Sequence, residues 1–434
     1  MNRHWWPPIK SNIPPWSHYR LSRRRFIRNI LLTTGSLSWS SAGRGAGQHP
    51  PPPAVKNSTI SKKPETGGIR LFLCGDIMTG RGIDQIMRHS VDPVLYEPWI
   101  RDAREYIALA EEVNGPVSRP VDDAYVWGDA LEILNHLRPD ASIINLETAI
   151  TSRGKAWPRK GIHYRMHPAN SSLLLAAGID CCVLANNHVL DWSYDGLDDT
   201  LKTLGDIGIG HAGAGLNDMS ASAPAIVTLP SGGRVLVFAL AFPDSGVPHS
   251  WKAWADRPGV NLVMDSPRKA IETMTAEIAR HRRPGDIVVT SIHWGGNWGY
   301  RIPRERQMFA HALIDSGLVD IVHGHSSHHP IGIEVYREKL ILYSCGDLLN
   351  DYEGISEHQK YRGDLSLMYF PLLNPEDGHL LGLEMHAMQI RKFQLQIASE
   401  EDTRLLQTTL SREGARLGTD VDRAGGNRLV LTWG

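Results

Sequence analysis

An α/β fold is predicted by three observations. Short continuous apolar runs recur along the chain, helical patterns lie between several of them, and clusters of Asp, Glu, Asn and His directly follow most of the runs. The first run covers residues 69–74 and stops at Gly75-Asp76, and the second covers 141–144 and stops at Asn145-Leu146-Glu147. The third, 179–185, stops at Asn186-Asn187-His188, and a fourth, 235–241, is rich in Val and Leu. Residues 287–292 stop at His293-Trp294-Gly295, 319–322 at His323-Gly324-His325, and 340–343 lead to Gly346-Asp347. Such runs read as buried strands. Helical patterns cover 130–137, 171–177, 196–204, 266–281 and 304–316, and in the last of these Met308, Ala312 and Leu313 fall on one face. Beyond 374, residues 380–388 look like a strand and 399–410 like a helix, expected to add an edge strand and a covering helix.

The chain has 434 residues, enough for a large core in one big domain or two smaller ones. A net charge of −1 argues against nucleic-acid binding, which needs a strongly basic face. No run of about 18 apolar residues suggests an ordinary membrane span. The four cysteines (Cys74, Cys181, Cys182, Cys345) show no CxxC spacing and read as small buried hydrophobes rather than a disulfide or a structural zinc site.

The N-terminus reads as an address. Ser22-Arg23-Arg24-Arg25-Phe26-Ile27-Arg28 resembles the bacterial twin-arginine export signal, followed by a modestly apolar stretch over 30–39 and small residues around Ala42 and Ala46. Residues 1–46 are therefore set apart as a targeting segment, and the protein is expected in the periplasm or at the cell surface. Residues 47–67, with Pro50 to Pro53, read as a linker. The main domain is expected over 68–373, with 374–434 packing on it as an extension.

The chemistry is expected where the strands end, because sites in α/β sheets form beyond the carboxyl ends of the strands. Asp76, Glu147, Asn187, His188, His293, His325 and His328 make the candidate set. Singly each has a plain explanation, such as a turn Asp or a hydrogen-bonded core His; jointly, placed after successive strands, they point to a metal. Carboxylate oxygen with imidazole nitrogen suits Mn, Fe or Zn rather than Ca or Mg. In His323-Gly324-His325-Ser326-Ser327-His328-His329 the glycine is expected to turn the backbone and aim two rings inward, with Ser326, Ser327 or Asp320 holding a second ring nitrogen. Arg81 could bind a substrate anion with its forked end.

These motifs, together with Gly75-Asp76-Ile77-Met78-Thr79-Gly80-Arg81 and Tyr343-Ser344-Cys345-Gly346-Asp347, occur in the order of the CapA family, which is linked to poly-gamma-glutamate capsule synthesis. The resemblance spans residues 69–361. It implies a branch of the calcineurin-like metallophosphoesterases, with a four-layer αββα sandwich and a site for one or two divalent ions (Mn, Fe or Zn). By motif, Asp76 stands for the first metal-ligand aspartate and Glu147 for the bridging carboxylate. Asn187, His293, His325 and His328 stand for further ligands, and His188 for the histidine that protonates the leaving group. Met78 occupies a position where the phosphoesterases carry a histidine. The implied roles are a hydrolase acting on a phosphoester or an amide of the cell envelope, or an accessory protein that binds an anionic envelope polymer beside the capsule synthesis and export machinery.

Overall fold

Side chains on a strand alternate between its two faces, and here the alternation sorts them into separate cores. The computed structural model describes residues 67–355 and 358–434. The twin-arginine segment expected over 1–46, and all of the 47–67 linker except Gly67, lie outside the described residues. The chain first lays down β1 (Ile69–Ile77), β2 (Ala141–Leu146), β3 (Cys181–Val183) and β4 (Gly210–Ala212), neighbours in that order and parallel. A second sheet then forms from β5 (Ala225–Thr228), β6 (Arg234–Ala241), β7 (Ile287–His293), β8 (Ile321–His325), β9 (Ile333–Tyr336) and β10 (Lys339–Leu342). Its order is β9-β10-β8-β7-β6-β5, with the four middle strands parallel. The chain returns to the first sheet with β11 (Asp347–Leu349), β12 (Leu365–Leu373), β13 (Leu380–Arg391), β14 (Gln394–Ile397), β15 (Thr419–Arg423) and β16 (Arg428–Trp433), making it ten-stranded.

Helices cover the outer faces. From β6, Leu236, Phe238 and Leu240 point outward and join Met274 and Ile278 of α5 (Pro267–His281) and Phe309, Ala310, Leu313 and Ile314 of α6 (Arg304–Asp315). The intervening Val235, Val237, Ala239 and Ala241 join the core shared with β1 and β2. That core also takes Ile83 of α1 (Arg81–Ile86), Ile107 and Ala110 of α2 (Arg104–Asn114), Ile133 and Leu134 of α3 (Ala130–Leu137) and Leu197 and Leu204 of α4 (Ser193–Asp206). The result is an α/β sandwich of helices, sheet, sheet and helices. Among the described residues no helix is long and apolar enough to cross a membrane.

Helix ends follow sequence chemistry. Ser266 caps α5 by accepting from the Lys269 N–H, with Pro267 in the first turn, and Ser399 caps α7 (Glu400–Gly414) through the Asp402 N–H. Two expectations are corrected. The buried face of α6 runs through Phe309, Ala310, Leu313 and Ile314, and Met308 is exposed. The tail strand is no edge: β13 lies between β12 and β16, well inside the ten-stranded sheet, because its long apolar alternation gives it two partners. All four cysteines are buried and free, as expected.

Pairing brings the two sheets' functional ends together through close backbone contacts. A Cβ on Gly75 would lie 1.7 Å from the Gly346 carbonyl oxygen, so only glycine lets β1 approach the strand that carries Asp347. The Asp76 N–H donates to that same oxygen at 3.1 Å. Gly75→Ala is expected to destabilise the protein by about 3 kcal/mol, read as a lowered urea midpoint. An unchanged midpoint would mean the two strand ends part without cost.

Candidate metal centre

Parallel pairing sets the histidines side by side. β7 and β8 run in register with His293 opposite His325, and Asp76 on β1 is in register with both Asn145 and Asp347. Ile287, Val289, Ile321 and Leu340 face the inner core, so the two-residue period carries Ser291, His293, His323 and His325 to the same inner side. Gly324 does not make the turn that was expected of it. It lies within β8, where a Cβ would meet the Tyr343 carbonyl at 2.4 Å, and the backbone turns instead at Ser326, with φ of 108°.

The tautomers follow from one carbonyl. His323 Nε2 is 2.8 Å from the Cys74 carbonyl oxygen, which only accepts, so this nitrogen carries the proton. Burial pushes the His323 pKa down to about 4, so Nδ1 is a bare acceptor and takes the Ser291 hydroxyl proton at 3.1 Å. Ser291 Oγ must then accept from His325 Nε2 at 2.9 Å, which leaves the His325 Nδ1 lone pair free. His293 donates Nε2–H to Asn187 Oδ1 at 3.2 Å, so its Nδ1 is bare as well. The two bare Nδ1 atoms sit 2.8 Å apart, and burial holds both rings far below the usual histidine range. Facing lone pairs repel unless a positive charge lies beside both.

Carboxylates complete the set. Asp76 Oδ1 is 4.0 Å from His325 Nδ1, and Asp76 Oδ2 is buried with no hydrogen-bond partner among the described residues. Glu147 Oε2 is 3.9 Å from His293 Nδ1, and Asn145 donates to both carboxylates, at 2.7 Å to Asp76 and 2.9 Å to Glu147. Burial, then repulsion from Asp347, raises the Asp76 pKa to about 7; burial, then Asp76, raises Glu147 strongly. Close-set donor groups form two triads, Asp76/His293/His325 and Asp76/His328/Asp347, with Asp76 common to both. Asp76 is common to both groups, and Glu147, to which the motif resemblance gives the bridging place, stands beside them with Oε2 3.9 Å from His293 Nδ1. An orphaned carboxylate oxygen and two unprotonated imidazole nitrogens fit a divalent ion of the Mn, Fe or Zn kind.

His328 donates from Nδ1 to Asp347 at 2.9 Å; burial alone would lower its pKa, but Asp347 raises it. His188 stands beside Glu147, with Nε2 3.9 Å from Oε1 and Nδ1 2.6 Å from Asp191 Oδ2. Burial takes its pKa down to about 4, against the pull of Asp191. Asp191 also forms an ion pair with Lys160 at 2.6 Å.

Seven of the expected residues therefore meet: Asp76, Glu147, Asn187, His188, His293, His325 and His328. Arg81 does not offer its fork to a ligand. The guanidinium is buried, bound to Asp351 through Nε and Nη2 and to Glu97 at 2.9 Å, and packed on the Tyr106 ring. Ser326, Ser327 and Asp320, offered as ring partners, bond elsewhere: to Gly295 O, to His329 O, and to Val288 N with Lys339. The partner is Ser291, two residues before His293 on the same strand face, a spacing visible in the sequence. Asp347 was legible too, since Gly346-Asp347 repeats the Gly75-Asp76 strand ending. Asp191 and Lys160 gave no signal. Met78 is buried, its sulfur 3.6 Å from the Tyr352 hydroxyl.

Two packed sheets with outer helices, and carboxylates and imidazoles gathered at strand ends from both sheets, define an α/β sandwich with a candidate metal centre. A family model described as "Bacterial capsule synthesis protein PGA_cap" matches residues 70–352. The chain belongs to this bacterial capsule synthesis family. It is 46% identical over 354 residues to the "Probable polyglutamine synthesis accessory protein" of Mycobacterium tuberculosis, covering 81% of this chain and 93% of that protein. The "Capsule biosynthesis protein CapA" of Bacillus anthracis is 25% identical over 295 residues, 67% of this chain and 62% of that protein. The "PGA biosynthesis protein CapA" of Bacillus subtilis is 30% identical over 193 residues, 44% of this chain and 48% of that one.

Two outcomes are expected. Ser291→Ala frees the His325 ring and should weaken Mn or Zn binding by about 10–100-fold in direct titration; unchanged affinity would show that the hydroxyl sets nothing. The second concerns pH. The Asp76 pKa is about 7 in the folded chain against 3.8 ordinarily, so in the cation-free protein this group's stabilising effect is complete below the lower value and is lost as pH rises toward the higher. A cation needs the ionised form and opposes that loss. The gap in melting temperature between Mn-loaded and chelated protein should therefore widen from about pH 5.5 to about pH 8. A gap that narrows would contradict the carboxylate titration.

Proposed function

We propose that the protein is an exported, metal-dependent hydrolase that cleaves a phosphoester or amide bond in an anionic polymer of the cell envelope, acting beside the capsule synthesis and export machinery. One observation carries this reading: His293 Nδ1 and His325 Nδ1 lie 2.8 Å apart, next to a buried carboxylate oxygen, Asp76 Oδ2, that has no hydrogen-bond partner among the described residues. Asp76, His293 and His325 would hold one divalent ion (Mn, Fe or Zn); Asp76, His328 and Asp347 would hold a second once His328 gives up the Nδ1 proton it donates to Asp347. A bound ion of this kind lowers the pKa of water and polarises a phosphoryl or carbonyl oxygen.

The chain's own groups supply the proton chemistry. Asp191 accepts from His188 Nδ1 and so aims the Nε2 lone pair toward Glu147. Neutral at pH 7, His188 takes a proton as general base and returns it to the leaving group as general acid, while Asp191 stabilises the charged ring in between. Lys160 holds Asp191 ionised for that purpose. Export by the twin-arginine route to the periplasm or cell surface belongs to the same proposal, supported by Ser22-Arg23-Arg24-Arg25-Phe26.

The relative's printed name contains the word "accessory", which favours a second reading, in which the site binds the polymer without cleaving it. The two part on one assay. Full-length Mn-loaded protein is incubated with poly-γ-glutamate and with a nitrophenyl phosphodiester. Cleavage of either is expected, with His188→Ala lowering kcat by about 10²–10⁴-fold at unchanged metal content. No turnover of either substrate by the loaded wild type would remove the hydrolase and leave the accessory role.

A further inference from the structure

The two donor groups that share Asp76 differ in readiness. In the first, His293 and His325 already present bare Nδ1 atoms. In the second, His328 turns Nδ1 toward the carboxylates, but that nitrogen carries the proton donated to Asp347 at 2.9 Å. The other nitrogen is engaged as well: the Asn297 amide nitrogen lies 3.0 Å from His328 Nε2. An amide nitrogen only donates, so Nε2 is a bare acceptor. The ring is thus neutral, with its one proton on the nitrogen that an ion would need. Placing an ion at Nδ1 moves that proton to Nε2, and an Nε2–H cannot face an N–H donor.

Asn297 is free to resolve that conflict, where other amides at the centre are not. Asn145 Nδ2 donates to Asp76 at 2.7 Å and to Glu147 at 2.9 Å, while its Oδ1 accepts from Asn186 at 3.0 Å. Asn350 Nδ2 donates to Asp347 Oδ2 at 2.8 Å and to the Gly363 carbonyl at 2.9 Å, while its Oδ1 accepts from the Tyr352 N–H at 3.1 Å. Reversing either amide would break bonds at both of its ends. Among the described residues the Asn297 side chain makes one hydrogen bond, the one to His328. Its amide can therefore turn and bring Oδ1 to an Nε2–H without losing another partner. The backbone holds meanwhile, because the Asn297 carbonyl accepts from the His328 N–H at 3.0 Å. The ring is held too, by Trp298 at 5.2 Å and by Tyr352 edge-on at 5.3 Å.

We propose that Asn297 is the positioning residue of the second ion site: its amide reverses as the His328 proton changes nitrogen, so the group Asp76/His328/Asp347 fills only after the group Asp76/His293/His325. The order follows from the two starting states. His293 and His325 meet an ion with no hydrogen bond to undo at Nδ1, whereas His328 must give up its bond to Asp347 and turn its bond to Asn297. The Nδ1–H bond breaks and an Nε2–H bond forms, with water carrying the proton, and the ring has the same charge before and after. The inference rests on the two-ion part of the function proposed above and uses nothing of the cleavage step.

The test is a Zn titration of the full-length, metal-free protein at about pH 8, where an ordinary imidazole is neutral. Histidines carry the heavy nitrogen isotope, and long-range nitrogen–proton correlation spectra tell the two neutral tautomers apart. The His328 signals are assigned by their loss in His328→Gln. Without Zn, His328 should show the Nδ1–H pattern. That pattern should persist through the first equivalent, while the His293 and His325 signals shift, and convert to Nε2–H during the second. Calorimetry on Asn297→Leu, which removes the amide at similar size, should show the second ion weakened by about 10–100-fold with the first unchanged. An Nε2–H ring before any Zn is added, conversion of His328 with the first equivalent, or wild-type affinity for the second ion in the Leu variant would overturn the inference. The two readings fail differently. A wild type that binds one Zn only removes the second site, and this inference with it. Two ions bound with equal strength by wild type and the Leu variant keep the two-ion centre and remove the role of Asn297.

Discussion

The hydrogen bond from His323 to the Cys74 carbonyl, 2.8 Å long and wholly buried, is the interaction on which the centre depends. It crosses from β8 of one sheet to β1 of the other, so it couples the packing of the sandwich to the state of the site. A carbonyl can only accept, and a buried ring cannot leave a polar atom unsatisfied without a large cost. Those two facts propagate through Ser291 to His325 and leave a bare nitrogen facing His293 and Asp76. The sheets thereby set the protonation of a ligand without touching it. Replacing any member of the chain would alter the ring that faces the carboxylates, not only the local packing.

Electrostatics and geometry act in the same sense. Asp76, Glu147 and Asp347 are brought together where burial raises the first two carboxyls, and the neighbouring His293 and His325 are kept neutral. A cluster of this kind is unfavourable alone and favourable around a cation, since ionised carboxylates and neutral imidazoles are what a divalent ion requires. The close contacts at Gly75 and Gly324 are what allow it: each lets a strand end come nearer to a neighbouring carbonyl than a side chain would permit. The fold therefore holds these donor groups close together.

Around this centre the charged groups divide into two kinds. Arg81, Asp351, Glu97 and Tyr106 satisfy one another in the interior and fix the start of α1 beneath the site. Lys160 and Asp191 also satisfy one another, but at the side of His188, where their pairing sets which nitrogen of that ring is free. Lys155 and Arg159, on the surface of the 153–163 loop, belong to neither group.

Much of this was legible in the sequence. The apolar runs are set by composition and burial, and residues at their ends are carried to a sheet's edge whatever the rest of the chain does; that is why Asp76, Glu147, Asn187, His188, His293 and His325 could be named from position alone. Helix 130–137 was legible to the residue because its apolar spacing has one solution. The rest needed three dimensions. Whether Arg81 serves a ligand or the interior depends on Asp351, 270 residues away. That Asp76 stands beside Asp347 depends on β11 pairing with β1, and that β13 is internal depends on β16 arriving from the chain's end. Sequence determines which side chains reach the strand ends, because alternation is local; only the packing of two sheets decides which of those side chains share a proton, a carboxylate or an ion, because those distances are set between segments far apart in the chain.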